Sequence, residues 1–183
     1  LGPERHWPVF EWAEWPYASV YLAAMVAPFV APSSAALRRF MVTGWWGTAL
    51  GMTAYLVVPF IAPPRDFEPS SLAGHLLMWE RADGLDGRAA FPSFHVFWTL
   101  LTAALLASRW PRLLVGAWAT IAVIACVMTG MHAVVDLVAG ALLFFVSWRI
   151  DRVWNLLRRS LERLANSWRA WQVGPVRIIN HGV

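Results

Sequence analysis

The residues best suited to chemistry are two histidines and one aspartate in two short motifs. The motifs are Phe91-Pro92-Ser93-Phe94-His95 and His132-Ala133-Val134-Val135-Asp136, and each opens a strongly apolar segment. An ionisable group near a bilayer centre costs roughly 2.5–3.5 kcal/mol on insertion scales, so such residues usually face a bundle interior and act there. His132 and Asp136 are four residues apart, which on a helix places them on one face. We therefore predict His132, Asp136 and His95 as the catalytic residues.

An anion-binding group is expected around the first motif. Pro92 suits the first position of a helix, which leaves the N–H groups of Ser93, Phe94 and His95 without helical partners. Such a helix end binds anions, and Ser93 adds a hydroxyl donor. Arg65 neutralises an anion there if its loop folds back. We predict Arg65, Ser93 and Pro92 as the substrate-binding residues.

The two histidines are expected to divide the chemistry between them. His132, with one ring N–H accepted by Asp136, presents its other nitrogen as a nucleophile or base. His95 then supplies the proton for a departing oxygen, a role typically worth about 10²–10⁴ in rate. Together with an anion site, this set predicts phosphoryl transfer through a phosphohistidine, with no cofactor and no metal.

The composition indicates a membrane protein. The chain has 183 residues, 58% of them hydrophobic and 14% charged, whereas a soluble domain carries about 25% charged residues. Its mean hydropathy is +0.50. Thirteen Trp are typical of the belts at membrane interfaces. The net charge of +4 comes from arginines at the ends of apolar segments, so no nucleic acid partner is expected.

The apolar segments predict an all-α, polytopic membrane helical bundle. The five expected spans cover 17–36, 41–62, 92–107, 113–128 and 131–148, and a sixth is expected to be missing or replaced by the N-terminal segment. Pro28 and Pro32 predict a kink or an early end in the first span. Gly44, Gly47 and Gly51 predict close helix packing in the second.

Three parts of the chain follow from this pattern. We predict an interfacial lead-in at 1–16, a membrane phosphotransferase- or phosphatase-like bundle at 17–149, and a basic amphipathic tail at 150–183 that leads to a possible further segment. The tail is expected to be helical over 149–171, with an apolar stripe that includes Trp168. A polar loop at 66–90 is expected to contain a short amphipathic helix at 72–79.

The arginines predict the orientation of the bundle. Clusters at 38–39, 109–112 and 149–163 fall on one side when the spans alternate, and an excess of arginine marks the cytoplasmic side. Arg65, His95, His132 and Asp136 then lie at the outer ends of their spans. The expected location is the plasma membrane, with the protein multi-pass and the site facing outside.

The two motifs resemble those of the type 2 phosphatidic acid phosphatase superfamily. Its pattern is K-x6-R-P, then P-S-G-H, then S-R-x5-H-x3-D, and the resemblance covers roughly residues 44–148. It implies that His132 is the nucleophile, Asp136 its orienting partner and His95 the general acid. It also implies an antiparallel bundle of about six membrane helices, with a lipid phosphate or phospholipid as substrate.

Several positions depart from that pattern. Ala125-Cys126 stands where the third motif has Ser-Arg, and Phe94 replaces the glycine of the second. If Arg65 is aligned with the first motif, Val58 and Asp66 replace its Lys and Pro. These departures look more like the inositol-phosphorylceramide synthase branch, whose members move phospho-head groups between lipids. The resemblance therefore implies either a lipid phosphatase or a head-group phosphotransferase.

Two other classes of function remain open at this point. In a metal-dependent membrane hydrolase, His95, His132 and Asp136 would be zinc ligands with one open position. In a non-catalytic anchor or assembly subunit, the same residues would be hydrogen-bonding contacts between helices. The lipid donor, the acceptor and the oligomeric state are not readable from the sequence.

Overall fold

Two units make up the protein, which a computed structural model describes at residues 3–58, 64–83, 91–167, 170–173 and 176–179. The first unit is Leu1–Ser147 and the second is Trp148–Val183. The α-helices that begin in the first unit are α1 (Glu14–Val26), α2 (Ser34–Val57), α3 (Leu72–Asp83), α4 (Phe94–Leu106), α5 (Arg112–Met128) and α6 (Val134–Trp148). The predicted all-α class is confirmed for the first unit.

The helices that correspond to the predicted spans differ in length. They range from 13 residues in α1 and α4 to 24 residues in α2. Across the described ranges, no helix combines the length and the apolar character needed to cross a bilayer. The predicted membrane spans are therefore not confirmed. The predicted end of the second span, at 59–62, and the second half of the polar loop, at 84–90, lie outside the described residues.

Prolines and a serine cap set the ends of the first two helices. α1 gives way at Val26 to a short 3-10 helix, Ala27–Val30, which contains Pro28. The predicted early end is confirmed, because proline removes a backbone donor and clashes with the preceding turn. The Ser33 side chain accepts the Ala36 N–H at 3.2 Å and starts α2 at Ser34. The helix therefore begins seven residues before the predicted start of the second span at residue 41.

Glycines bring α2 close to α4, as their spacing predicts. Gly44, Gly47 and Gly51 face the rings of α4, and a Cβ at Gly47 would lie 2.0 Å from the Phe97 ring. Phe97 is completely buried. The close approach lets a large aromatic side chain fill the space that a side chain on α2 would otherwise occupy.

α6 approaches the start of α4 even more closely. A Cβ built on Gly140 would lie 2.4 Å from the carbonyl oxygen of Ser93 and 3.1 Å from the Cβ of Val96. The first of these neighbours is backbone, which cannot turn aside as a flexible side chain can. Gly140 therefore sets the distance between the two helices that carry His95 and Asp136.

The N-terminal segment packs on the first unit. Its two 3-10 helices are Pro3–His6 and Glu11–Ala13, and the Phe10 N–H donates to the Met128 carbonyl at 3.0 Å. The Glu11 carboxylate accepts the N–H groups of Ser70 and Ser71, each at 2.8 Å, just before α3. Hydrogen bonds from these serines, with the Ser71 hydroxyl foremost, lower the pKa of Glu11 to about 2. The segment predicted as a lead-in thus caps α3, and that helix confirms the short helix predicted at 72–79.

The second unit consists of α7 (Ile150–Ser167) and two antiparallel strands. The strands are β1 (Ala170–Val173) and β2 (Val176–Ile179), with Ala170 opposite Ile179. The prediction of one helix over 149–171 is therefore wrong at its C-terminal end, where the valines, isoleucines and Trp171 have high β-propensity. Trp168 of the predicted apolar stripe lies outside the described residues.

Candidate active site

The three predicted catalytic residues come together at one end of the first unit. The ring centroids of His95 and His132 are 5.9 Å apart. His132 Nδ1 lies 3.7 Å from Asp136 Oδ2. His95 is carried by the first turn of α4, whereas His132 and Asp136 come from the turn between α5 and α6 and from the start of α6.

His132 precedes α6 instead of lying on it. Its N–H donates to the Cys126 carbonyl at 3.1 Å, and Gly130, with φ of +73°, makes the turn that lies between them. Such a φ favours glycine. The prediction that His132 and Asp136 share a helix face is therefore wrong, because the turn and not the helical repeat brings them together.

Asp136 is held in place by the start of its own helix. Its Oδ2 accepts the Ala133 N–H at 2.8 Å, as in a helix capping box, and the side chain is completely buried. At 3.7 Å the contact with His132 is longer than a hydrogen bond.

Two tyrosines of α1 orient His95. The Tyr17 ring stacks on the imidazole with centroids 3.8 Å apart, and the Tyr21 ring meets it edge-on at 4.8 Å. His95 Nε2 is buried and has no hydrogen-bond partner among the described residues. Sequence reasoning missed these tyrosines, although their spacing of four residues places them on one helix face.

Ser93 ties α4 to α6. Its Oγ accepts the Val96 N–H at 3.4 Å as the cap of α4, and its N–H donates to the Asp136 carbonyl at 3.1 Å. The predictions that Pro92 occupies the first helical position and that the Ser93 N–H is unpaired are therefore wrong. The Pro92 carbonyl accepts the Tyr55 hydroxyl at 2.9 Å. The substrate-binding roles of both residues stay predictions.

Arg65 holds together three separate parts of the chain. Its guanidinium donates to the carbonyls of Glu4 at 2.9 Å and Trp7 at 2.8 Å, and also to that of Val127 in the last turn of α5. Cationic side chains are favourable at this negative end of a helix. The predicted role of Arg65 in holding an anion stays a prediction.

A cavity of about 850 Å³ opens beside the two histidines. At its polar end it is lined by His95, His132, Glu80 and Arg81. The rest of its wall is mainly apolar and follows α2 from Tyr55 to Met41, two residues that are fourteen positions and therefore about 21 Å apart along the helix. The apolar lining includes Val20, Met25, Pro28, Phe40, Met52, Phe94, Trp98 and Met131. The cavity therefore combines a short polar end with a long apolar channel.

The matched family agrees with this site. Residues 4–150 match the family model described as the PAP2 superfamily. The chain belongs to the PAP2 superfamily. Its members are generally phosphatases or phosphotransferases of lipid-like substrates, and the matched stretch contains His95, His132 and Asp136. Neither a curated protein nor a solved structure matches the chain. The superfamily resemblance is confirmed, whereas the finer one to the inositol-phosphorylceramide synthase branch is not.

Metal ligation in this PAP2 superfamily chain has little support from the geometry. Within the ranges that the structure covers, no three His, Cys, Asp or Glu side chains are arranged so that they could hold a metal ion. Three protein ligands at tetrahedral positions are what a catalytic zinc site requires. The contacts of His95, His132 and Asp136 therefore do not favour the metal-dependent alternative.

A pair of carboxyl groups lies beside the polar end of the cavity. Glu80 lines the cavity and accepts the Tyr21 hydroxyl, while Glu14, completely buried, lies next to Glu80. Burial and the charge of Glu80 raise the pKa of Glu14 to about 8. Near neutral pH the pair therefore holds a proton. Sequence reasoning placed Glu14 in a surface segment and gave it no role.

Proposed function

We propose that this protein cleaves or transfers the phosphate or phospho-head group of a lipid through a phosphohistidine formed on His132. The observation that carries the proposal is a single cavity that joins two histidines to a long apolar channel. Its volume of about 850 Å³ is within the range of about 300–1,000 Å³ typical of small-molecule sites.

The contacts support a division of labour among the three residues. His132 Nδ1 faces Asp136, so Nε2 attacks the phosphorus atom, the P–O bond to the leaving group breaks, and an N–P bond forms. His95 gives its proton to the leaving oxygen. In the second step His95 takes a proton from water or a lipid hydroxyl, whose oxygen attacks phosphorus while the N–P bond breaks. Asp136 stabilises the charge on His132 throughout.

The channel supports a substrate with a long apolar chain. Its methionines, Met25, Met41, Met52 and Met131, have flexible and polarisable side chains that adapt to irregular apolar ligands. A soluble phosphomonoester would use only the polar end and would leave this apolar wall uncovered. A lipid phosphate buries its chain there and so gains the hydrophobic contribution.

Blocking the channel tests this proposal. Met52→Trp is expected to raise the KM for a long-chain lipid phosphate about tenfold, because the added bulk displaces the chain, and to leave a short soluble phosphomonoester unaffected. The control is Leu56→Trp, one turn away on α2 but outside the cavity lining and 87% exposed. Equal effects of the two variants, or no preference of the parent for the long-chain substrate, would contradict the proposal.

A turnover assay with an added lipid alcohol decides between hydrolysis and transfer. The departures at Ala125-Cys126 and Phe94 lead us to propose transfer to a lipid hydroxyl as the main reaction. Adding a lipid alcohol should then divert the phospho-group from inorganic phosphate into a new phospholipid, with the total turnover maintained. Release of inorganic phosphate alone at saturating acceptor would identify the protein as a phosphatase.

We also propose a membrane location, with the site facing outside the cell. Support comes from large apolar side chains that are exposed, such as Phe29, Leu56 and Leu113. Glu68→Cys is expected to react with a membrane-impermeant thiol reagent applied to intact cells, and Arg109→Cys is not. Both positions are exposed and the native Cys126 is buried, so background labelling should be low. The reverse labelling would overturn the orientation.

A further inference from the structure

The polar end of the cavity contains few positive charges. Of the described residues that line it, Arg81 is the single arginine, and Glu80 beside it is acidic. A phosphate group bound near His132 needs cationic or N–H donors, and charge-assisted hydrogen bonds are the strong ones. Arg81 and the arginine near it are therefore the candidates for the cation that binds the phosphate.

The guanidinium of Arg81 has donors to spare. Its Nη1 donates to the Arg65 carbonyl and its Nη2 to the Thr129 carbonyl, each at 2.6 Å. A guanidinium offers five N–H groups in a planar fork. Its Nε is buried and has no hydrogen-bond partner in the part of the chain that the structure describes. Buried donors are normally paired, so an unpaired one on a side chain that lines the cavity points to an anionic ligand as its partner.

The same guanidinium is held rigidly next to the nucleophile. A Cβ built on Gly130 would lie 3.0 Å from Arg81 Nη2, and Gly130 belongs to the turn that leads to His132. The Phe67 ring covers the guanidinium, with its centroid 4.5 Å from Cζ. The two carbonyls and this ring position the fork before any substrate arrives.

Arg65 is a neighbour with a different set of contacts. Its Nε also lies near Gly130, 3.0 Å from the position of a Cβ there. Its terminal nitrogens donate to the carbonyls of Glu4, Trp7 and Val127, and it is not among the residues that line the cavity. Arg65 therefore serves as a matched control for the effects of losing a half-buried arginine in this region.

We propose that Arg81 is the substrate-binding residue that holds the phosphate oxygens, a role for which the sequence pointed to Arg65. The inference rests on the proposed function. Arg81 keeps its bonds to the Arg65 and Thr129 carbonyls and uses its Nε and the remaining N–H groups for the substrate. Its position in α3 lets one helix carry both this cation and Glu80 to the cavity.

The electrostatic surroundings agree with an anionic ligand at this point. Burial and the charge of Arg65 lower the pKa of Arg81, while Asp66 acts in the opposite direction. An added phosphate anion would likewise favour the charged guanidinium. Two carboxyl groups, Glu80 and Glu14, lie beside the polar end of the cavity. The pKa of Glu14 is raised to about 8, so near neutral pH Glu14 contributes little repulsion to that anion.

The test measures anion binding separately from folding. Inorganic orthovanadate is titrated against the parent, Arg81→Gln, Arg81→Lys and Arg65→Gln, and its affinity is read from the shift in Tm that it causes. Arg81→Gln is expected to weaken vanadate binding and raise the KM for lipid phosphate by about 10- to 100-fold. Arg65→Gln is expected to lower Tm while it binds vanadate within about twofold of the parent. Arg81→Lys keeps the charge and loses the fork, so an intermediate loss is expected.

The outcomes separate this inference from the proposed function. Parental vanadate affinity in Arg81→Gln overturns the role of Arg81, even if the lipid activity and the phosphohistidine are found in the parent. Loss of affinity in Arg65→Gln alone would assign the anion to Arg65. If Arg81→Gln fails to fold, Arg81→Lys decides, since an unchanged affinity there contradicts a forked contact. A folded parent that neither binds vanadate nor forms a phosphohistidine contradicts the proposed function itself.

Discussion

His132→Ala is expected to abolish both turnover and the covalent phosphoryl-enzyme. Without an imidazole at this position no N–P bond forms, so both half-reactions are lost rather than slowed. The measurement is acid-labile label on enzyme that has been rapidly quenched after mixing with a labelled lipid phosphate. His75→Ala is the control, because His75 is an exposed histidine of α3 outside the cavity lining. Label at the parental level in His132→Ala would rule out His132 as the nucleophile.

The same experiment addresses the non-catalytic alternative. His132 contributes its backbone N–H, and not its ring, to the bond with the Cys126 carbonyl. Alanine keeps that bond, so His132→Ala is expected to retain the parental Tm within a few degrees while activity disappears. Loss of the fold together with the activity would favour a structural role for this polar group.

Variants of His95 and Asp136 are expected to differ from His132→Ala, and from each other, in how much activity they lose. His95→Ala should slow both steps by about 10²–10⁴, and least for a donor whose leaving group needs no proton. Asp136→Asn can still accept the Ala133 N–H through its amide oxygen, so the start of α6 is kept. It no longer stabilises the correct tautomer of His132, and its loss should be nearer to that of the nucleophile variant.

Gly140→Ala is expected to have the largest effect on the fold. The added methyl would lie 2.4 Å from the Ser93 carbonyl oxygen, so α4 and α6 must move apart. Overpacking of this kind typically costs about 1–3 kcal/mol, and contact with backbone leaves little room for relief. Because Ser93 and Asp136 are hydrogen-bonded across this contact, the same shift should reduce kcat in the fraction that folds.

The control for that variant is Gly116→Ala in α5. A Cβ at Gly116 meets nothing within 4 Å, so alanine should stabilise the helix by about 0.5–1 kcal/mol through its higher helix propensity. Thermal unfolding of the two variants beside the parent gives the comparison. Similar Tm values for Gly140→Ala and Gly116→Ala would show that α4 and α6 are not in the described contact.

Residue types identified the site more reliably than they identified its surroundings. His95, His132 and Asp136 were predicted because ionisable groups in apolar segments are costly, and the structure brings them together. The prediction that His132 and Asp136 share a helix face was wrong, because His132 lies in the turn after Gly130 and before the start of α6. A pattern of spacings does not reveal where the chain leaves a helix.

The destination of a long side chain was not readable either. Arg65 and Arg81 both belong to the segment before Phe91-Pro92-Ser93-Phe94-His95, and the sequence does not show where either guanidinium goes. Only the tertiary fold sends the guanidinium of Arg65 to the carbonyls of Glu4 and Trp7 and that of Arg81 to the cavity. The start of α2 at Ser34 is the opposite case, because its capping residue, Ser33, is of a type that can be recognised from the sequence alone.

The carbonyl groups at the end of α5 carry a consequence for how the protein folds. They are taken by Phe10, Arg65, Arg81 and His132, so chain segments up to about 120 residues apart must meet at one helix end. Each such long closure costs entropy before its contacts return any stability, which slows the formation of non-local structure. This helix end therefore completes its long-range contacts late in folding, and enzymatic activity regained during refolding would report the completed chain rather than any single pair of helices.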